Sequence, residues 1–259
     1  MNMIANKTNA WNLDLSIIIP VYNEEESIVE LAEEVDKVMH DTSWSWECLW
    51  IDDGSTDRTL YKLQQINERN NHHQFIALSQ NCGQSAALSV GFRFTRGKVI
   101  ATLDGDGQND PADIPPMMKK LLELNADMIN GWREKRRDNV IKKLSSYIAN
   151  GFRNWMTNEQ VRDVGCSLRV FRHQCVENLP TFRGMHRFLP TLARMSGCSK
   201  IIEMPVRHRP RKYGLTKYGI HNRLWVGIVD TFAVRWMQFR LVYPEVKSSS
   251  LDKGGGKPE

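Results

Sequence analysis

Asp104 and Asp106 stand one residue apart at the end of an apolar run, Val99-Ile-Ala-Thr-Leu-Asp104-Gly-Asp106-Gly-Gln-Asn-Asp110-Pro111. A buried strand ending this way carries two carboxylates to its carboxyl edge, where their oxygens can share a hard divalent cation. The natural further partner of such a cation is a diphosphate. A calcium loop also alternates carboxylates, but it needs Gly at its sixth position and Glu at its twelfth. Counted from Asp104, those positions hold Asn109 and Pro115. Mg2+ or Mn2+ shared with a diphosphate is therefore the expectation.

Two other polar clusters follow apolar runs: Pro20-Val-Tyr22-Asn23-Glu24 and Asp52-Asp53-Gly54-Ser55-Thr56-Asp57. Each has a plain reading as a turn with a helix cap. Two ionised neighbours at a partly buried strand end are costly unless donors meet them. A nucleobase N–H and ribose hydroxyls would supply those donors. The first strand also lacks the G-x-G-x-x-G turn that admits a dinucleotide pyrophosphate, which argues against a nicotinamide oxidoreductase.

The elements that must position these residues alternate from residue 15 onward. Strands are expected at 15–19, 48–51, 75–78, 98–103 and 127–130. Helices are expected at 24–39 (Ile28, Leu31, Val35 and Val38 on one face), around Leu60, Leu63 and Ile66, at 85–94, and from Pro111 to about Leu124. After residue 150 the pattern becomes less regular, with shorter strands near 163–172 and 200–207 and a helix between them. Near-continuous apolar strands separated by helices describe a mostly parallel sheet covered on both faces. Ligands of such sheets bind beyond the carboxyl ends of the strands, where the polar clusters, with Gln80-Asn81, converge.

At 259 residues the chain has room for one large α/β domain, or for one domain and a short appendage. The net charge of +5 is unevenly placed: Glu24, Glu25, Glu26, Glu30, Glu33 and Glu34 lie early, whereas Arg and Lys crowd 133–143 and 207–223. An anionic partner near the second half is expected, and nucleic acid is not, for want of any nucleic-acid-binding signature. Five cysteines, odd in number, scattered and without a C-x-x-C pair, do not suggest zinc and fit a reducing, cytoplasmic setting. The first residues lack the apolar core of a signal peptide.

Taken in order, seven segments resemble family 2 glycosyltransferases of the GT-A fold, in the branch of dolichol-phosphate mannose synthase and undecaprenyl-phosphate sugar transferases. They are Ile18-Ile-Pro-Val-Tyr-Asn-Glu24, Ile51-Asp-Asp-Gly-Ser-Thr-Asp57, Asn81-Cys-Gly-Gln84, Leu103-Asp-Gly-Asp-Gly-Gln-Asn-Asp-Pro111, Gly131-Trp-Arg133, Asp163-Val-Gly-Cys-Ser-Leu-Arg169 and Arg211-Lys-Tyr-Gly-Leu-Thr-Lys-Tyr218. The resemblance implies a Rossmann-like, mostly parallel sheet over 13–220. It implies Pro20, Tyr22, Glu24, Asp52, Asp53 and Asp104 at the nucleotide-sugar, and Asp104, Asp106 and Gln108 at a divalent metal. The family often has Ala or another small residue at the position of Gly105 and Leu at that of Gly107. Glycines at both are expected to loosen the loop.

Given the aspartates, the basic residues acquire a purpose. Arg133 follows the fifth strand, and Arg211 and Lys217 flank a Gly-containing loop able to fold over a diphosphate, although a solvated loop is the bland alternative. Arg169 is a candidate for the acceptor phosphate. The catalytic set is expected to be Asp106, Asp163 and Arg133. A phosphate-monoester acceptor is largely dianionic at neutral pH, its second pKa lying near ~6. Asp163 is therefore expected to orient the site or repel a misplaced phosphate rather than remove a proton. The whole implies an inverting, metal-dependent transfer from a nucleoside-diphosphate sugar to a polyprenyl phosphate. The alternatives are a soluble glycan or protein acceptor, and a catalytically silent nucleotide-sugar-binding module.

Beyond this domain, Trp225, Val229, Phe232, Trp236 and Phe239 recur at helical spacing with Arg235 and Arg240 beside them. An amphipathic helix over 221–243 is expected, either lying on the cytoplasmic face of a membrane or packed on the domain. An integral partner subunit is a further expectation. Residues 1–12 read as an extension, and 244–259 as a disordered tail.

Overall fold

The computed structural model describes residues 11–133, 150–213 and 220–242. The expected extension up to residue 10 and the tail after 243 lie outside them, as does Lys217. The strands are β1 (Leu13–Val21), β2 (Trp46–Asp52), β3 (His73–Ala77), β4 (Gly97–Thr102), β5 (Met128–Arg133), β6 (Arg169–Arg172) and β7 (Ile201–Val206). Among the described residues they form one sheet in the order β3-β2-β1-β4-β6-β5-β7. Only β6 runs against its neighbours β4 and β5; the other pairings are parallel. The helices are α1 (Ile28–His40), α2 (Thr59–Arg69), α3 (Gln84–Phe94), α4 (Ile114–Glu123), α5 (helical at 150–157), α6 (Leu189–Met195) and α7 (Ile220–Arg240).

The central strands are apolar throughout because both faces are covered. Ile17 and Ile19 of β1 join one core with Trp50, Leu31 of α1, Leu63 of α2 and Met117 of α4. Ile18, pointing the other way, joins Leu88 and Phe92 of α3, Leu189 of α6 and Val234 of α7. The strand order changes direction between β1 and β4, so the loops leaving their carboxyl ends diverge and leave a crevice. That crevice lies between Tyr22-Asn23-Glu24 and Asp104-Gly-Asp106.

Three local expectations are corrected. Helix α1 begins at Ile28, not at 24, and it buries Met39 rather than Val38. Residues 23–25 are held instead by the loop after β2: Ser55 Oγ accepts the Asn23 N–H, Asn23 Oδ1 accepts the Thr56 N–H, and Asp57 accepts the Glu25 N–H. The cysteines are not all reduced. Cys175, in the turn after β6, is disulfide-bonded to Cys198, just beyond α6, across a Cα separation of 5.8 Å. Finally, Gly105 tightens its loop. A Cβ there would lie 2.5 Å from Val21 Cγ1, and its carbonyl accepts the Ser27 hydroxyl at 2.7 Å. Gly107 does take the left-handed backbone, at φ +70°, which a side chain would strain.

Candidate active site

A cavity of about 420 Å3 opens at the crevice, bounded by Pro20, Tyr22 and Glu24 from the loop after β1, and by Asp53, Asn81 and Gln84 beyond β2 and β3. Asp104, Asp106 and Gln108 form its floor, and Arg133 and Arg211 close it. A second cavity of about 370 Å3 shares Pro20, Gln84, Asp104 and Arg133, so the two adjoin at Asp104. Its far wall is Asp163, Arg169, His186 and Arg187, with Asn150 from α5.

Each acidic residue has a different duty. Asp53, 3% exposed, accepts the backbone N–H groups of Cys82 and Gly83, both at 2.8 Å. Burial pushes its carboxyl up, those two donors pull it back, and neighbouring Asp52 adds to the rise. The carboxylate thereby fixes the turn that launches α3 at the cavity edge. Asp52 is turned into its own loop, its Oδ1 accepting the Ser55 N–H at 3.0 Å, so this residue builds the turn rather than lining the cavity.

The paired aspartates sit where two like charges oppose each other. Asp104 is pushed up to about 6, first by burial and then by the charge of Asp106, while Ser167, Arg169 and Arg133 pull it down. Gln84 Nε2 donates to Asp104 Oδ1 at 2.8 Å. Asp106 accepts the Gln108 N–H through Oδ1 at 3.1 Å and Arg211 Nη2 through Oδ2 at 2.8 Å. Gln108 turns its amide N–H to the Arg209 carbonyl at 3.3 Å. Among the described residues no three His, Cys, Asp or Glu side chains gather as a metal cage. Two crowded carboxylates with an amide nearby fit a hard divalent ion whose other ligands come from a diphosphate and water.

Arg133 and Asp163 form a fork-to-fork pair, Nε to Oδ2 at 2.7 Å and Nη2 to Oδ1 at 2.9 Å, with the Arg133 backbone N–H adding 3.2 Å. The Gly165 N–H also reaches Asp163 at 3.1 Å. With both oxygens engaged, Asp163 holds the Arg133 guanidinium in place at the junction of the two cavities. Arg169 lines the second cavity but is 2% exposed, and its guanidinium donates to Asn130 Oδ1 and to the carbonyls of His186 and Val164. Its first duty is to tie the cavity wall together, not to present a free fork to a phosphate.

The sequence reading assigned no role to Gln84, Asn150, Ser85, His186 or Arg187. Ser85 Oγ and His186 Nδ1 share a hydrogen bond at 2.9 Å, and the Gly184 N–H reaches Ser85 Oγ at 3.1 Å, which seats the 184–187 turn on α3. Gln84 lies within the matched Asn81-Cys-Gly-Gln84 segment, a signal that was available. His186 and Arg187 follow no strand end, and nothing in their spacing marks them.

Helix α7 has two faces. Thr231 and Val234 are buried, and Gln238 Nε2 donates to the Thr157 carbonyl of α5 at 2.8 Å. Trp225, Val229, Phe232, Trp236 and Phe239 are each at least half exposed, and Trp155 of α5 extends the patch at 77% exposure. The Arg235 guanidinium lies over the Phe239 ring at 4.4 Å. Among the described residues no helix is long and apolar enough to cross a membrane.

A family model described as glycosyl transferase family 2 matches residues 16–204. The chain is 36% identical over 248 residues to a dodecaprenyl-phosphate galacturonate synthase of Rhizobium johnstonii, covering 95% of this chain and 73% of that protein. It is 35% identical over 205 residues to an undecaprenyl-phosphate 4-deoxy-4-formamido-L-arabinose transferase of Salmonella choleraesuis, covering 79% of this chain but only 62% of that protein. Among solved structures, glucosyl-3-phosphoglycerate synthase of Mycobacterium tuberculosis with Mg2+ and UDP superposes with a TM-score of 0.66 at 16% identity, over 88% of this chain and 79% of that one. Its complex with Mn2+, UDP and glucosyl-3-phosphoglycerate gives 0.64 at 17%, over 88% and 80%. At those identities the likeness is one of fold.

Proposed function

The chain belongs to glycosyl transferase family 2, and from that premise we propose that it moves a sugar from a nucleoside-diphosphate sugar to a polyprenyl phosphate at the cytoplasmic face of a membrane. The observation that carries the reading is the junction of the two cavities at Asp104 and Arg133. A donor seated in the first cavity brings its anomeric carbon to that junction, and an acceptor phosphate in the second reaches it from the opposite side. In-line attack then inverts the anomeric centre.

Tyr22, Glu24 and the turn fixed by Asp53 take the nucleoside. Asp104 and Asp106, with Gln108 beside them, would hold a Mg2+ or Mn2+ ion, which when bound neutralises charge developing on the departing diphosphate. Arg133, oriented by Asp163, faces the junction and balances the acceptor phosphate. That phosphate is largely dianionic at neutral pH, with a second pKa near ~6, so its oxygen attacks without a protein base. The reading gives Asp163 a positioning duty. Arg187 and His186, on the far wall of the same cavity, are further groups that could meet the phosphate.

The lipid acceptor also accounts for α7. Its aromatic face, with Trp155, lies on helices that border the acceptor cavity: α5 contributes Asn150 to the wall, and Asp230 of α7 packs against Gly184, ahead of His186. An aromatic belt with Arg235 and Arg240 at its edge suits the headgroup layer. The test is a panel of radiolabelled nucleotide-sugars offered with a short-chain polyprenyl phosphate. Label entering organic solvent supports the proposal; label entering only soluble glycan or protein, or no transfer from any donor, defeats it.

A further inference from the structure

The segment after β7 carries cations at 207, 209, 211 and 212, and each lies against an acidic partner. Arg207 pairs with Asp110 and Asp113, Arg209 with Glu34 and Asp110, and Lys212 with Glu30. Arg211 differs from these because its partner is a carboxylate expected to hold metal. Its Nη2 lies 2.8 Å from Asp106 Oδ2 and 3.9 Å from Glu24 Oε1, and the side chain is only 25% exposed. The other oxygen of Asp106 accepts the Gln108 N–H at 3.1 Å.

We infer that Arg211 is the built-in counter-cation of Asp106, so that a divalent metal and Arg211 compete for this carboxylate and the metal binds tightly only together with the donor diphosphate. The inference rests on the metal-dependent reading above and deepens it. A metal arriving alone must take Asp106 from a positive group already in hydrogen-bond contact, and must leave that group facing another cation at close range. A diphosphate arriving alone meets Asp104, Asp106 and Glu24. Arriving together, the two bring nearly cancelling charge, and the displaced guanidinium finds a new acceptor in the diphosphate oxygens, which match its fork.

Arg211 thereby sets the order of binding. The neighbouring strap contacts are already satisfied by Glu30, Glu34, Asp110 and Asp113, so Arg211 can change partner while the segment stays anchored. This separates its role from general electrostatic attraction by the basic strap. Lys212 is the adjacent cation, and its ammonium is hydrogen-bonded to both oxygens of Glu30.

The experiment measures Mn2+ binding to the full chain by loss of the free-ion EPR signal, alone and with saturating UDP or GDP, whichever raises the unfolding temperature. Wild type, Arg211→Met, Arg211→Gln and Lys212→Ala are compared, each first checked for an unfolding transition like that of wild type. The two neutral Arg211 replacements are expected to bind Mn2+ alone about tenfold more tightly, the scale of one partly buried charge contact. Lys212→Ala should stay near wild type, and the tightening of Mn2+ by nucleotide should shrink in the Arg211 variants. Unchanged or weaker Mn2+ binding in both Arg211 variants overturns the inference, and so does equal tightening in Lys212→Ala. If wild type binds Mn2+ under none of these conditions, the metal-dependent reading itself falls, a result distinguishable from the other two.

Discussion

Replacing Asp104 by Asn removes one of two like charges from a partly buried corner while keeping Oδ1 as the acceptor for Gln84. A carboxyl moved from 3.8 to about 6 penalises the ionised form by about 3 kcal/mol. Since Asp104 retains some contact with water, a gain of about 1–3 kcal/mol in metal-free stability is expected for Asp104→Asn at pH 7.5. The sign follows from the raised folded value. Between roughly pH 4 and pH 6 the folded wild type binds more protons than the unfolded chain, so its stability falls as pH rises through that window. The advantage of the variant should therefore be full above about pH 7 and vanish near pH 4. Urea unfolding in EDTA at several pH values measures it. Adding Mn2+ with nucleotide should stabilise wild type and leave the variant unmoved, and sugar transfer should fall at least about a hundredfold. A variant less stable than wild type at pH 7.5, or a difference independent of pH, would refute the reasoning.

Asp163→Asn unclamps Arg133; kcat/KM for the lipid acceptor should fall about 10- to 100-fold with little change in donor KM, and a pH–rate profile of unchanged shape would separate positioning from base catalysis. Trp225→Ser, Phe232→Ser and Trp236→Ser alter the exposed face of α7, so thermal stability should hold within a few degrees while flotation with anionic vesicles and turnover of vesicle-borne acceptor fall together. Flotation equal to wild type would remove the interfacial role. Gly105→Ala places a methyl against Val21 and should cost about 1–3 kcal/mol, read by urea unfolding, with weaker Mn2+ affinity; a neutral substitution would show that the loop is slack after all.

Much of this architecture was legible because the two signals that announce it are local. Strands such as Ile17-Ile-Ile19 and Val99-Ile-Ala101 are buried on both faces and so read as continuous apolar runs, and the polar residues that end them must lie on one rim. That logic located Tyr22, Glu24, Asp53, Asp104 and Asp106 at a common cavity. It did not separate Asp52 from Asp53, because adjacent carboxylates look alike in sequence whereas Asp53 reaches the cavity edge and Asp52 accepts the Ser55 N–H of its own turn. Pairings between distant segments leave no periodic trace. Ser85 meets His186 from 101 residues away, and Arg211 meets Asp106 from 105. The Cys175–Cys198 bond was equally hidden, since scattered cysteines carry no record of which turns the fold brings together. Gly105 looked like flexibility, yet the close approach of Val21 makes it a packing requirement. On α7 the periodicity offered a membrane face or a packed face as alternatives, and the helix has room for both on opposite sides.

Asp104 and Asp106 are expected to act on a donor diphosphate through a divalent ion. Transfer of radiolabelled sugar into extractable lipid should stop in EDTA, return with Mg2+ or Mn2+, and be lost in Asp104→Asn and Asp106→Asn while both variants keep cooperative unfolding. Undiminished labelling of lipid in chelator by wild type and by both variants would contradict it.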